Sequence, residues 1–294
     1  MKFTQNKTKF LLLPIIIIIV GIVMYLVQGF NFDTEFVGGI RMQVNVGADF
    51  ENKEIEQLVI ETAGEVAAPV VQKIGDGTQA TIKMSELDLE TKTKLDDAIK
   101  AKYREEAIMS ANSASASFGK QVQGKAFLFT AIAVLLILLY IAIRFEWRSA
   151  VMSVIALLIN ILVMMAVYAI TYTPLNTTFI AAMLTVVGYS INNTIVVFDR
   201  IRENMKLRNP KRGITVSTVV NTSIWESMGR TINTTITTLI TIVLLYVLGV
   251  TSVKEFAFPL IIGVIAGAYS SIFIASTFWA SWKESAEEAK KNNK

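Results

Sequence analysis

Neither cysteine nor histidine occurs anywhere in the 294 residues. The first absence rules out disulfides and thiolate metal centres, and the second rules out imidazole-based acid–base catalysis. A phosphate-binding loop of the G-x-x-x-x-G-K-[ST] type is missing as well, so any direct energy source is the membrane gradient rather than ATP. No basic patch interleaved with aromatic residues is present, and a net charge of +4 with a basic pI follows from where lysine and arginine sit along a membrane topology, not from nucleic-acid binding. Charged side chains make up only 18% of the residues against 53% that are apolar, and the mean hydropathy is +0.50. That balance lies far outside the range of water-soluble domains and defines a polytopic membrane protein.

Lys2, Lys7 and Lys9 precede an apolar run from Phe10 to Val27. The run exceeds the roughly 7–15 residues of a signal-peptide core and no small-x-small cleavage site follows, so it reads as an uncleaved first span with Pro14 in its opening turns. From Asn31 to Gln123 the composition is polar and mixed, as expected of a folded domain outside the membrane. Alternation predicts a strand over Gly39 to Val46, and apolar Ile55, Leu58, Val59 and Ala63 predict a helix over Asn52 to Ala63. Ala67 to Ile74 and Gln79 to Met84 read as strands joined by a Gly75-Asp76-Gly77 hairpin signal. A second helix is expected over Asp88 to Arg104, capped by Asp88, and a closing strand over Glu106 to Ser115. The resulting β-α-β-β-α-β order is the ferredoxin-like α+β pattern.

Five further apolar runs follow, at Ala126 to Ile143, Ala150 to Ile170, Thr177 to Phe198, Thr231 to Val250 and Phe258 to Ala280. Each is near the roughly 20 residues that cross hydrocarbon, which makes six transmembrane helices with an extracytoplasmic domain between the first and second. Arg144 and Arg148, then Arg200 through Arg212, then Lys283 through Lys294 mark one side, with the lysine-bearing N-terminus, as cytoplasmic. The expected divisions are residues 1–30 for the cytoplasmic N-terminus and first span, 31–123 for the extracytoplasmic domain, 124–282 for the five-helix region and 283–294 for a cytoplasmic tail.

Leu184 to Asn204, LTVVGYSINNTIVVFDRIREN, is the least ordinary of these segments. An apolar helix carries Tyr189, Asn192, Asn193 and Thr194 at its middle and leaves the bilayer through Asp199 and Arg200. An amide without a partner is costly in hydrocarbon, so this polar group is expected to face another helix or a polar cavity. The stretch Gly188 to Asn204 resembles the signature of the SecF family, integral-membrane subunits of the bacterial Sec protein-export machinery. The resemblance extends to DTEFVGGI at Asp33 to Ile40, RFEWR at Arg144 to Arg148, LNTTFIAA at Leu175 to Ala182, GRTINTTITT at Gly229 to Thr238 and GVIAGAYSS at Gly263 to Ser271. The family usually reads Asn-Asp where this chain has Asn192-Asn193.

Arg230, Thr234, Thr237 or Thr238, and Thr241 recur at helical spacing and give the fifth span a hydroxyl-bearing face. Arg230 either marks the cytoplasmic boundary and snorkels to headgroups, or, as the resemblance implies, is an arginine the family uses in its ion-coupling step. Asn193 supplies an amide but no titration, and no carboxylate lies within the six expected spans. A proton would then be carried by an acid on a partner, with Arg230 and Asn193 shaping its site, unless the oxygen-rich cluster ligates Na⁺ instead. Gly38 and Gly39 read as a hinge or as a bend needing open backbone space, Asp199 and Arg200 as a charged exit or a docking point, and Gly263, Gly267, Ser270 and Ser271 as close-packing residues.

The resemblance implies a multi-pass subunit of the bacterial cytoplasmic membrane with both termini inside. It would act with SecD and the SecYEG channel on unfolded secretory polypeptide, coupled to the ion gradient and without a cofactor. One span, an outer domain and five spans also resemble half of a resistance-nodulation-division transporter. The rivals are therefore a half-size lipid or drug transporter, which calls for a roomy apolar outer pocket, and a passive assembly factor. An intramembrane enzyme lacks a catalytic set in this sequence.

Overall fold

A computed structural model describes residues 2–74, 77–114, 116–144, 146–209 and 213–292. Along the chain run α1 (Lys7–Gln28), α2 (Thr34–Val37), β1 (Gly39–Asn45), α3 (Asn52–Ala63), β2 (Val70–Ile74), β3 (Gln79–Met84), α4 (Leu89–Lys102), β4 (Ile108–Ala114), α5 (Ala116–Arg144), α6 (Trp147–Thr171), α7 (Thr177–Lys206), α8 (Val216–Leu248), α9 (Thr251–Ser270) and α10 (Ser276–Asn292). They form two compact units. A helical unit comprises Met1–Asn31, Leu128–Thr173 and Thr178–Lys294, and a sheet unit comprises Phe32–Phe127 and Pro174–Thr177.

In the sheet unit the strands pair antiparallel in the order β2-β3-β1-β4. Val71, Ile82, Met42 and Ala111 stand opposite one another across the four strands, so one pleat face presents a continuous apolar row. Ile55 and Val59 of α3 and Leu95 and Ile99 of α4 cover that row, and all four are fully buried. Helix α3 and strand β3 fall on the expected residues. Strand β2 begins later than expected, because Glu65–Ala67 form a 3₁₀ turn and Ala68 turns left-handed (φ 41°) immediately before Pro69, which has no N–H to give to a ladder. Gly75 and Asp76 of the expected hairpin turn, and Ser115 at the end of the expected last strand, lie outside the described residues.

Asp88 caps α4 by accepting from the Thr91 backbone N–H at 3.1 Å. Hydrogen bonding from Thr91, side chain first and backbone second, holds the Asp88 carboxyl below its ordinary value of 3.8. A lowered folded-state value means that the cap is fully present above the ordinary aspartate range and is lost as pH falls through the lowered value. The Thr91 amide proton resonance is therefore expected to titrate with a midpoint below 3.8. Asp88→Asn should abolish the titration while keeping a cap. A midpoint at or above the ordinary value would refute this coupling.

The sheet unit also buries a charge cluster. Asp33, with no exposed surface, takes Arg41 Nη1 at 2.7 Å and Lys83 Nζ at 3.4 Å, and its backbone N–H donates to Leu175 O at 2.8 Å. Glu35 Oε2 accepts from both the backbone N–H and the hydroxyl of Thr177, at 2.8 and 2.6 Å.

Among the described residues the helical unit contains five helices long and apolar enough to cross a membrane, Thr4–Gln28, Trp147–Thr171, Thr177–Lys206, Val216–Leu248 and Thr251–Lys290, together with the shorter apolar stretch Leu128–Ile143. Their outer surfaces carry exposed Leu, Ile and Val, as lipid-facing helices do. Small residues set the crossings. A Cβ on Gly21 of α1 would lie 2.4 Å from the Ala166 Cβ and 2.5 Å from its Cα, so α1 and α6 meet backbone to backbone. On α9, Gly263 leaves room for Val186 and Met164.

Several helices exceed the expected limits: α5 begins at Ala116 rather than Ala126, and the last span begins at Thr251 rather than Phe258 and runs past Ala280. Helix α7 does not stop at Phe198 but runs on to Lys206, and α8 begins at Val216 rather than Thr231. Thr215 starts α8 by accepting from the Thr218 N–H at 3.1 Å, a cap that hydropathy does not register because the first turns of α8 are amphipathic rather than apolar. The last span is a continuous helical rod from α9 into α10, interrupted only by a π-helical segment at Ser271–Ala275.

Candidate functional site: polar contacts between membrane helices

The antiparallel neighbours α7 and α8 are joined at both ends of their contact. At one end the Tyr189 hydroxyl lies 3.3 Å from Thr235 Oγ1. At the other, Asn204 Nδ2 donates to Ser223 Oγ at 3.0 Å and to Glu226 Oε2 at 2.6 Å, and Arg200 Nε donates to the same carboxylate at 2.7 Å. One turn inward from Tyr189 and Thr235 comes the level of Asn193 and Thr231. Both are buried, at 3% and 2% exposure, and both keep a polar atom, Asn193 Nδ2 and Thr231 Oγ1, without a hydrogen-bond partner among the described residues.

The other side of α7 meets the last rod. Thr194 Oγ1 lies 2.7 Å from Ser271 Oγ, and Ser271 Oγ donates to Ser190 O at 3.2 Å. Ser271 is the first residue of the π segment, whose wider turn presents its hydroxyl to α7. Gly267, one turn earlier, lies so close to α6 and α7 that a Cβ there would be 3.0 Å from Asn160 Nδ2 and 3.1 Å from Ser190 Oγ. Asn160 is fully buried, and neither of its amide atoms has a partner among the described residues. Buried polar groups are ordinarily satisfied, so three side chains on α6, α7 and α8 that keep an unpartnered polar atom among the described residues set this region apart from simple helix packing.

The expected site residues divide between interior and surface. Asn193 and Thr194 are buried, Tyr189 is half-buried, and Asn192 is exposed on the far side of α7. Arg230 and Thr234 are exposed on α8. Because α8 begins at Val216, Arg230 lies near the middle of a 33-residue helix rather than at its end. Its side chain makes no hydrogen bond or ion pair among the described residues, while Thr234 donates to the Arg230 carbonyl at 2.9 Å. Arg200 is occupied by Glu226 and by Glu203, at 2.8 Å, and Asp199 is half-buried. Gly38 (φ 85°) closes α2, and Gly39 (φ 115°) sits where a Cβ would strike Met84 O at 2.3 Å, so both glycines are required by the turn into β1.

Asn160, Thr231 and Thr235 join this region although they lie outside the expected site. Asn160 is a lone amide in an otherwise apolar run, a signal that was available. Thr231 and Thr235 differ from neighbouring threonines only in facing α7, and that face is set by where α8 begins.

Apolar helices meeting through buried amides and hydroxyls define a multi-pass membrane protein. Residues 94–285 match the family described as protein export membrane protein SecD/SecF, C-terminal. The chain is 36% identical over 278 residues to the protein translocase subunit SecF of Alicyclobacillus acidocaldarius, which spans 93% of this chain and 90% of that protein. It is 33% identical over 285 residues to the protein translocase subunit SecDF of Bacillus subtilis, covering 96% of this chain but 38% of that longer one. The crystal structure of SecDF, a translocon-associated membrane protein from Thermus thermophilus, superposes with a TM-score of 0.87 at 28% identity, over 97% of this chain and 39% of that one. The chain belongs to the SecD/SecF family of protein export membrane proteins. SecF subunits match it over nearly its full length, which supports an accessory role in Sec translocation. In the SecDF relatives the matching region lies within a longer polypeptide named for both SecD and SecF, which supports association of SecD with SecF.

Proposed function

We propose that this chain is the SecF-type half of an ion-coupled export complex in the bacterial cytoplasmic membrane. It works with SecD beside the SecYEG channel on unfolded secretory polypeptide, and the α7–α8 pair is where the gradient is sensed. The observation that carries this reading is Asn193, 3% exposed and retaining an unpartnered Nδ2 within the helical unit. An amide cannot take up or release a proton, so the titrating acid belongs to SecD, and Arg230, on the open face of α8, is the cation it meets. Asn192, Tyr189, Thr194 and Thr234 complete the polar surroundings.

Several features support the architecture that goes with this role. Five long apolar helices plus the Leu128–Ile143 stretch fit six spans, and the β2-β3-β1-β4 order with two covering helices fits a ferredoxin-like extracytoplasmic domain over residues 31–123. Residues 1–30 and 124–282 then form the membrane part and 283–294 a cytoplasmic tail. Lys7 Nζ donates to Ser281 Oγ at 2.6 Å, in keeping with both termini on one side. Against a half-size transporter, the buried apolar residues of the sheet unit, from Ile40 to Ala107, pack into one core cluster of their own.

The test is export of a secretory reporter into vesicles containing this chain and SecD, with H⁺ and Na⁺ gradients collapsed separately, for the native chain and for Asn193→Asp. Collapse of one gradient is expected to slow export in the native complex, and Asn193→Asp is expected to increase the dependence on the H⁺ gradient. Export indifferent to both gradients and to the substitution would leave the assembly-factor role instead.

A further inference from the structure

Beyond the α7–α8 contact, a half-open cavity of about 260 Å³ lies between the start of α6, the charged end of α7 and α10. Its floor is apolar, made by Phe198, Ile201, Met205 and Trp279. Its rim is cationic. Arg202 and Lys206 stand four residues apart on α7, hence on one face, and both line the cavity. Neighbouring cations are spoken for. Arg200 pairs with Glu226 and Glu203, Arg208 forks onto both oxygens of Glu287 at 2.8 and 2.9 Å, and Lys283 is held by both oxygens of Glu146 at 2.8 and 2.9 Å. Arg202 and Lys206 have no such carboxylate among the described residues. Trp279, 4% exposed, lines the same cavity and has an indole N–H without an acceptor there.

The surroundings place this cavity at the level of lipid headgroups. Trp147 and Trp282 meet edge to face with centroids 4.9 Å apart, and the Arg148 guanidinium lies over both rings at 5.0 and 5.9 Å. Tryptophans of this kind mark the membrane–water boundary.

We propose that this cavity binds an anionic glycerophospholipid, its phosphate between Arg202 and Lys206 and the first part of one acyl chain on the Phe198–Trp279 floor. The charge balance selects an anionic lipid over a zwitterionic one. Glu146, the carboxylate on the rim, is already neutralised by Lys283 and by Arg148 at 2.8 Å, leaving two uncompensated positive charges. The volume lies just below the roughly 300 Å³ of small ligand pockets, enough for a headgroup and its neck but not for both tails. Basic pockets between membrane helices hold acidic lipid headgroups by this chemistry.

The experiment is native mass spectrometry of the full chain released from micelles with phosphatidylglycerol or phosphatidylcholine of identical acyl chains. Phosphatidylglycerol should remain bound where phosphatidylcholine does not. The double substitution Arg202→Gln, Lys206→Gln should weaken retention about 30-fold, since each basic side chain near an anionic surface contributes about 1 kcal/mol. Arg202→Lys with Lys206→Arg should retain the lipid, which separates charge from folding. Equal retention of the two lipids, or unchanged retention in the double Gln variant, overturns the proposal, as does occupancy that follows a co-purifying acidic protein instead of the added lipid.

Discussion

Replacing Asp33 with alanine is expected to unfold the sheet unit locally while leaving the helical unit intact. Asp33 has no exposed surface and supplies the counter-charge to Arg41 at 2.7 Å and Lys83 at 3.4 Å, on adjacent strands β1 and β3. Without it two cations remain in a site screened from water, and breaking a buried pair by removing one partner costs about 3–5 kcal/mol. The loss falls on the centre of the sheet, since β1 joins β3 to β4. Hydrogen exchange on the full chain should show β1 and β3 amides losing protection together. Asp33→Asn, which keeps the shape but not the charge, should fall in between. Native-like protection in the alanine variant would mean that Asp33 is not the counterion that holds these strands.

Gly21→Leu should separate the first helix from α6. A Cβ at this position is already 2.4 Å from the Ala166 Cβ and 3.1 Å from its carbonyl carbon, and main-chain atoms cannot rotate away as a long side chain can. Overpacking of this kind costs about 1–3 kcal/mol, and separation would also weaken the bond from Gln28 Nε2 to Ala169 O at 2.8 Å. Gly21→Ala should give a smaller loss of the same sign. The check is thermal unfolding in detergent, with hydrogen exchange on α1 to locate the change. If Gly21→Leu melts at the native temperature with α1 still protected, the close crossing of α1 and α6 is wrong.

Sequence patterns revealed most where one local signal decides the structure. Alternation marks β1, the hairpin signal marks β3, the spacing of Ile55 and Val59 marks α3, and Asp88 announces the start of α4. What remained hidden depends on which faces meet. Asn192 and Asn193 are adjacent and chemically identical, yet about 100° of helical rotation puts one inside and one outside. The start of α8 escaped hydropathy because Val216 to Met228 pack against α7 and α10 with only one face, while Glu226 and Asn221 make polar contacts. Gly21 is a single glycine in an isoleucine-rich run, with no local signal for what it meets. Its role depends on Ala166, a residue far away in the chain.

The π segment at Ser271–Ala275 acts as a phase shift in an otherwise regular rod. An extra residue in one turn offsets the angular bookkeeping of everything after it, so the face that α9 shows its neighbours does not dictate the face that α10 shows. The upstream half can be indexed by Gly263 and Gly267 against α6 and α7, while the downstream half is indexed separately by Glu284 on Ser217 and Glu287 on Arg208. A single rod thereby carries two independent rotational settings, one for the membrane interior and one for its charged end.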